Sequence, residues 1–131
     1  MKYDKEGKTK FVEELRQRIF QWVIRVSDFC ESLPSTATTR TAVFQLIKSS
    51  TSTGANQRAA SRARSQKEFY AKISIAVEEA DESHYWLQLI EAKNYNTDNE
   101  ELKWLIQEAD ELTRILATAR YNAGRKLNEG S

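Results

Sequence analysis

Val12, Leu15, Ile19, Trp22, Val26, Phe29 and Leu33 follow one another at steps of 3, 4, 3, 4, 3 and 4. A strand cannot bury such a row, because its side chains alternate faces at every residue. A helix of about 3.6 residues per turn puts all of them on one seam. Phe11, Phe20, Val23 and Ile24 widen that seam, which predicts that more than one face is covered. Pro34 ends the pattern, since it lacks an N–H and drives the residue before it out of helical geometry. The stepping returns in Phe69, Ile73, Ala76, Ala80, Ser83, Leu87 and Ile90, and again in Leu102, Leu105, Ala109, Leu112, Leu116 and Ala119.

The stretch between the first two seams is ambiguous. "TAVFQLIKSS" is helical in pattern, whereas "STSTGAN" reads on composition as a loop. A structureless stretch of that length sits poorly inside a compact domain, so a helix from about Thr38 to Ala63 is expected. Ser50, Gly54 and Ala55 would then form a small-residue face, with Gly54 costing about 1 kcal/mol of helix propensity unless close packing offsets it. Ser65 and Glu68 have the spacing of a capping box. "NYNTDN" is a turn, after which Thr97 with Glu100, or Asp98 with Glu101, can cap a last helix. With only four glycines and one proline in 131 residues, strand-bounding turn clusters are nearly absent. The expectation is an all-α, up-down-up-down antiparallel four-helix bundle in one domain, residues 1–131, with about 1–8 and 125–131 frayed and Gly124 as the fraying point.

Charge is unevenly spread along the chain. Residues 40–72 carry seven Lys or Arg and one Glu, residues 73–111 two basic and eleven acidic groups, and residues 112–131 four basic and one acidic. The whole chain is nonetheless only +1. Opposite blocks on neighbouring helices would largely cancel, so net charge alone does not argue for nucleic acid.

Several chemistries lack their residues. One histidine, His84, and one cysteine, Cys30, cannot supply a zinc site or the paired Glu-x-x-His motifs of a di-iron bundle. No phosphate-loop, dinucleotide-loop or nucleophile-elbow motif occurs. The expectation is no enzyme, no catalytic residue, no cofactor and no metal. The charged N-terminus and the lack of a run of about 20 apolar residues predict a soluble cytoplasmic protein with no membrane segment.

Leu33-Pro34, Gln45-Leu46, Lys48-Ser49-Ser50, Asn56 before a basic Ala-rich turn, Arg64-Ser65 with Glu68-Phe69, and the run Glu78-Glu79-Ala80-Asp81-Glu82-Ser83 occur in order. Over roughly residues 11–120 this resembles the four-helix-bundle family of 23S rRNA intervening-sequence proteins. Many members read Asn-Ile-Ala-Glu-Gly where this chain has Asn56-Gln57-Arg58-Ala59-Ala60. It is similar to the branch with Asn-Tyr-Arg-Ala-Ala, Gln57 standing for the tyrosine. The resemblance implies a ring-shaped homopentamer and no catalytic residues. It also points to a distant relative, the accessory variability determinant of diversity-generating retroelements, which binds nucleic acid and a reverse transcriptase.

The crowded basic residues Arg58, Arg62, Arg64 and Lys67 have two readings. By default they pair with Glu78, Glu79, Asp81 or Glu82, within a subunit or across a ring interface. Alternatively they form a phosphate-binding rim, with no aromatic stacking platform interleaved and Phe69 and Tyr70 the nearest rings. Tyr85, Trp86 and Trp22 are the candidate subunit-interface residues. The function expected is a non-enzymatic oligomeric scaffold or adaptor binding RNA or DNA non-specifically through that surface. The alternative is a purely structural or protein-interaction module, including an accessory role beside a reverse transcriptase.

Overall fold

A computed structural model describes the backbone of residues 5–129 and the side chains of residues 10–129. Four helices follow in order: α1 (Lys5–Glu31), α2 (Ala37–Ser61), α3 (Gln66–Lys93) and α4 (Asn99–Glu129). Each packs on two neighbours, most closely α2 on α3 and α3 on α4, while α1 lies against α2 and α4. Among the described residues the diagonal pairs α1–α3 and α2–α4 stay apart, so the cross-section is a square with the apolar seams turned inward. The expected seams are the core. Leu15, Ile19, Trp22, Val26 and Phe29 meet Ile73, Ala76, Ala80, Leu87, Ile90, Leu102, Leu105, Ala109, Leu112 and Leu116 there.

Side-chain caps define the helix starts. Thr36 caps α2, its hydroxyl accepting from the Thr39 N–H at 3.1 Å while the Thr39 hydroxyl accepts from the Thr36 N–H at 2.7 Å. Ser65 caps α3 by accepting from the Glu68 N–H at 3.0 Å, but the box closes only from that side. Glu68 turns instead toward Arg64, 3.8 Å away. Asp98 is the cap of α4, accepting from the Glu101 N–H at 3.1 Å. Asn94, in the left-handed region at φ 54°, ends α3.

The ambiguous second segment is one unbroken helix. Several of its hydroxyl residues face inward rather than to a loop: Ser49, Ser50 and Thr53 are buried, while Thr51 stays exposed. Ser49 Oγ lies 2.7 Å from Ser83 Oγ of α3, and Thr53 donates to the Ser49 carbonyl at 2.8 Å. Small hydrogen-bonded side chains let α2 and α3 approach closely without leaving polar atoms unpaired. Gln57 is also buried, and its side-chain oxygen has no partner among the described residues. That carries a cost of about 1–3 kcal/mol.

Two boundary expectations are corrected. Helix α1 already runs at Lys5 and α4 continues through Gly124 to Glu129, so 5–8 and 125–129 are helical rather than frayed. Residues 1–4 and 130–131 lie outside the described residues. Gly124 is no fraying point because the Tyr70 ring covers it; an added Cβ would sit 3.3 Å from that ring.

Trp22 is corrected as well. It is fully buried at the centre of α1, and its indole N–H donates to the Leu105 carbonyl at 3.2 Å, so it belongs to the subunit core and not to an interface.

Gly54 is not required by close packing. A Cβ there would meet Ile19 at 3.6 Å and Val23 at 3.9 Å, ordinary van der Waals distances. Gly54→Ala is therefore expected to stabilise the protein by about 0.5–1 kcal/mol through helix propensity and a less disordered unfolded chain. Thermal unfolding followed by circular dichroism should show a higher Tm; a lower one would mean that this face of α1 cannot accept a methyl group.

Candidate nucleic-acid interface at the basic end of the bundle

An up-down-up-down order brings the end of α2, the start of α3 and the end of α4 to the same end of the bundle. The two basic segments meet there. Residues 49–77 carry five Lys or Arg against one Glu, and residues 112–129 four against one. The acidic block, residues 78–111 with eleven acidic and two basic groups, fills the other end of α3 and α4. The expected cancellation between α2 and α3 is only partial: Lys48 of α2 acts on Glu79 of α3, but the net basic and net acidic stretches lie at opposite ends of the bundle axis.

The acidic end has its own arginine partners, from α1. Arg18 donates from Nε and Nη2 to the two oxygens of Glu108, at 2.8 and 2.7 Å, and reaches Glu111 at 3.1 Å. Those hydrogen bonds, to Glu108 above all, push the guanidinium above its already high ordinary pKa. Arg25 grips Glu101 in the same two-pronged way, at 3.0 and 2.5 Å, with its guanidinium 3.4 Å from the centre of the Trp104 ring. Planar forks matched to carboxylates lock the α1–α4 seam.

The elbow arginines do not take those partners. Arg58, Arg62, Arg64 and Lys67 are all exposed. Among the described residues, Arg58, Arg62 and Lys67 form no ion pair, and Arg64 reaches only Glu68 on the next turn. The default reading, pairing with Glu78, Glu79, Asp81 or Glu82 inside the subunit, is thus not what the chain does. Arg58 lies near α1, where it adds a weaker field to the Arg16 hydrogen bond that holds the Glu13 carboxyl below its ordinary range. In the last turns of α2 and α4, Arg58 and Lys126 also oppose the negative helix ends.

A cleft of about 650 Å³ opens at this end among α1, α2, α3 and α4. Its floor is apolar, with Val12, Ala60 and Phe69, and Arg64, Lys126 and Asn122 stand at its polar edge. Tyr70 and Tyr121, both exposed, flank the same end, and the Arg125 guanidinium lies 5.7 Å from the centre of the Tyr121 ring. Rings therefore do stand among the basic groups. Sequence reasoning missed Tyr121, Arg125 and Lys126, although the positive charge of residues 112–131 was the available signal.

Of the two remaining interface candidates, Tyr85 is 58 % exposed, and Trp86 is half-buried, edge-on to Tyr85 and donating to Glu82 at 3.2 Å. The larger apolar exposure is elsewhere. Phe20 and Ile24 on α1 and Phe44 on α2 are exposed, with Val23 and Ile47 in the groove between the helices. The widened face of α1 is thus uncovered within one subunit. Burial pushes the Cys30 thiol up to about 12, so it stays protonated near neutral pH. Among the described residues no three His, Cys, Asp or Glu side chains gather as metal ligands, and no helix is long and apolar enough to cross a membrane.

Residues 13–118 match the family model described as 23S rRNA-intervening sequence protein. A crystal structure from Bacteroides thetaiotaomicron, of a protein with unknown function from the S23 ribosomal protein family, is similar with a TM-score of 0.69 and 25 % sequence identity. The match covers 81 % of this chain and 97 % of that one. No curated protein is detectably similar to the chain.

The two sets of arginines should separate in a stability experiment. An Arg58/Arg62/Lys67→Ala variant is expected to unfold in urea within about 1 kcal/mol of wild type, since it gives up only helix-end electrostatics and the weak field of Arg58 on Glu13. Arg18→Ala leaves the buried Glu108 without its fork and should cost about 2 kcal/mol. An equally large loss in the triple variant would restore the elbow as internal glue.

Proposed function

The chain belongs to the 23S rRNA-intervening sequence protein family, and we propose that it acts in the cytoplasm as a non-enzymatic, oligomeric scaffold that engages RNA or DNA through the basic end of its bundle. The observation that carries this reading is the gathering of two separate basic segments at one end, with Arg58, Arg62 and Lys67 exposed and lacking an ion pair among the described residues. Unpaired cations beside one another repel, so a polyanion is the partner that relieves the crowding. Among the described residues no ion pair orients Arg58 or Arg62, and the reading is therefore of binding driven by charge and shape rather than sequence. A homopentameric ring, which the family resemblance implies, would repeat the patch in each subunit, and avidity would multiply a weak single-site affinity.

A second reading, association with protein alone, is favoured by the open α1–α2 face. Phe20 and Phe44 are 51 % and 65 % exposed there, on either side of a groove lined by Val23, Ile24 and Ile47, and a contiguous apolar patch of this kind marks a protein-binding surface. The two readings are compatible if this face builds the oligomer.

Fluorescence anisotropy with a structured RNA and a duplex DNA, at ~50 and ~200 mM salt, tests the first reading. Affinity should fall more than about tenfold across that range, and an Arg58/Arg62/Arg64→Ala variant that remains folded and assembled should lose most of the binding. No binding at the lower salt would leave the protein-only reading standing. The oligomer has a separate test. Phe44→Glu places a charge on the open face and should yield smaller species in light scattering after gel filtration, with helix content unchanged; an unaltered mass would remove this face from the assembly.

A further inference from the structure

We infer that the basic end prefers single-stranded nucleic acid and holds unpaired bases by stacking on Tyr121 and Tyr70. The inference rests on the reading of this end as a nucleic-acid surface and names the form of nucleic acid it takes. Tyr121 is 66 % exposed and Tyr70 38 %, so both rings keep surface open to a ligand. Gly124 sets the Tyr70 ring against the same stretch of α4 that carries Tyr121. An added Cβ there would lie 3.3 Å from the Tyr70 ring, so the bare backbone of α4 lets that ring lie against the helix less than one turn from Tyr121. Cations interleave with the rings. Lys67 shares the Tyr70 face of α3 at three residues' spacing, and the Arg125 guanidinium lies 5.7 Å from the Tyr121 ring centre. Alternating rings and cations on one surface match what a single strand offers, a base with a free face and a phosphate at each nucleotide. In a duplex the faces are already stacked on one another, so the tyrosines have nothing to hold and only the cations contribute.

The test compares a labelled oligouridine, whose bases stack weakly on each other, with an RNA duplex of the same length, by anisotropy at one salt concentration. Wild type should bind the single strand more tightly. Tyr121→Ala, a change at an exposed ring, should weaken oligouridine binding about tenfold and leave duplex binding unchanged. Tyr121→Phe and Tyr121→Trp keep a ring and should keep the affinity. Equal binding of the two probes, an equal loss on both, or a Tyr121→Phe variant as weak as Tyr121→Ala would overturn the inference. In each of these cases salt-sensitive duplex binding would leave the basic end a phosphate surface. Absence of binding to either probe would overturn both.

Discussion

Trp22 closes the bundle. The α2–α3 and α3–α4 pairs are close-packed hairpins that could form from neighbouring sequence, whereas α1 must be laid against α4 across most of the chain. Trp22 supplies the volume for that closure, and its indole N–H finds the Leu105 carbonyl, so a large amphipathic ring is buried without an unpaired donor. The Arg18 and Arg25 forks onto Glu108 and Glu101 flank the ring along the same seam. Burying a charge of this kind is tolerable only with a matched partner, and the pairing specifies which residues of α1 face which residues of α4. The forks take carboxylates of α4 alone. Among the described residues Arg58 and Arg62 stay without an ion pair because the acidic run of α3, Glu78 to Glu82, lies farther along the bundle axis.

Closure by a large residue on one side is balanced by small ones on the other. Ser49, Thr53 and Ser83 bring α2 and α3 together, and their hydroxyls bond to each other and to the preceding helical carbonyls. A close α2–α3 pair fixes the geometry of its connecting turn, residues 62–65, and with it the direction in which the end of α2 and the start of α3 present their basic groups. The surface at that end is therefore built on two of the most tightly packed elements rather than on a mobile loop, which favours preorganised contacts.

The helices and the core were legible because the apolar steps alone place residues on a seam, and a bundle needs little more than seams and short connections. Residues 50–57 were less so: Ser, Thr and Gly carry loop propensities, and only the pairing of Ser49 with Ser83 shows why a helix wins there. Trp22 was misread as interface because a seam does not tell whether a large ring fills its own core or a neighbour's. The partners of the arginines were not legible either. Which residue of α1 lies opposite Glu101 or Glu108 depends on the axial register of two helices about 80 residues apart in the chain, which no local pattern encodes. The placing of Tyr70 was invisible for the same reason; only the antiparallel order of α3 and α4 lays its ring on Gly124, three residues from Tyr121.

That same order determines what the charge segregation means. A net charge of +1 invites the view that the blocks cancel. Cancellation requires proximity, and here the blocks are separated along the helices rather than across them. Helix α3 has 28 residues, hence a length of about 42 Å at 1.5 Å per residue. The centres of its basic and acidic halves are then about 20 Å apart, more than twice the Debye length of about 8 Å at physiological ionic strength. At that distance the acidic half exerts almost no field on a molecule approaching Arg62 or Lys67, and a polyanion meets a locally cationic surface despite the near-neutral whole. Overall charge is the wrong quantity for this protein. The relevant one is charge within a Debye length of the approaching ligand, and at the α2–α3 turn Arg58, Arg62, Arg64 and Lys67 outnumber Glu68 of the same stretch and Glu13 of α1, the carboxylate in the field of Arg58.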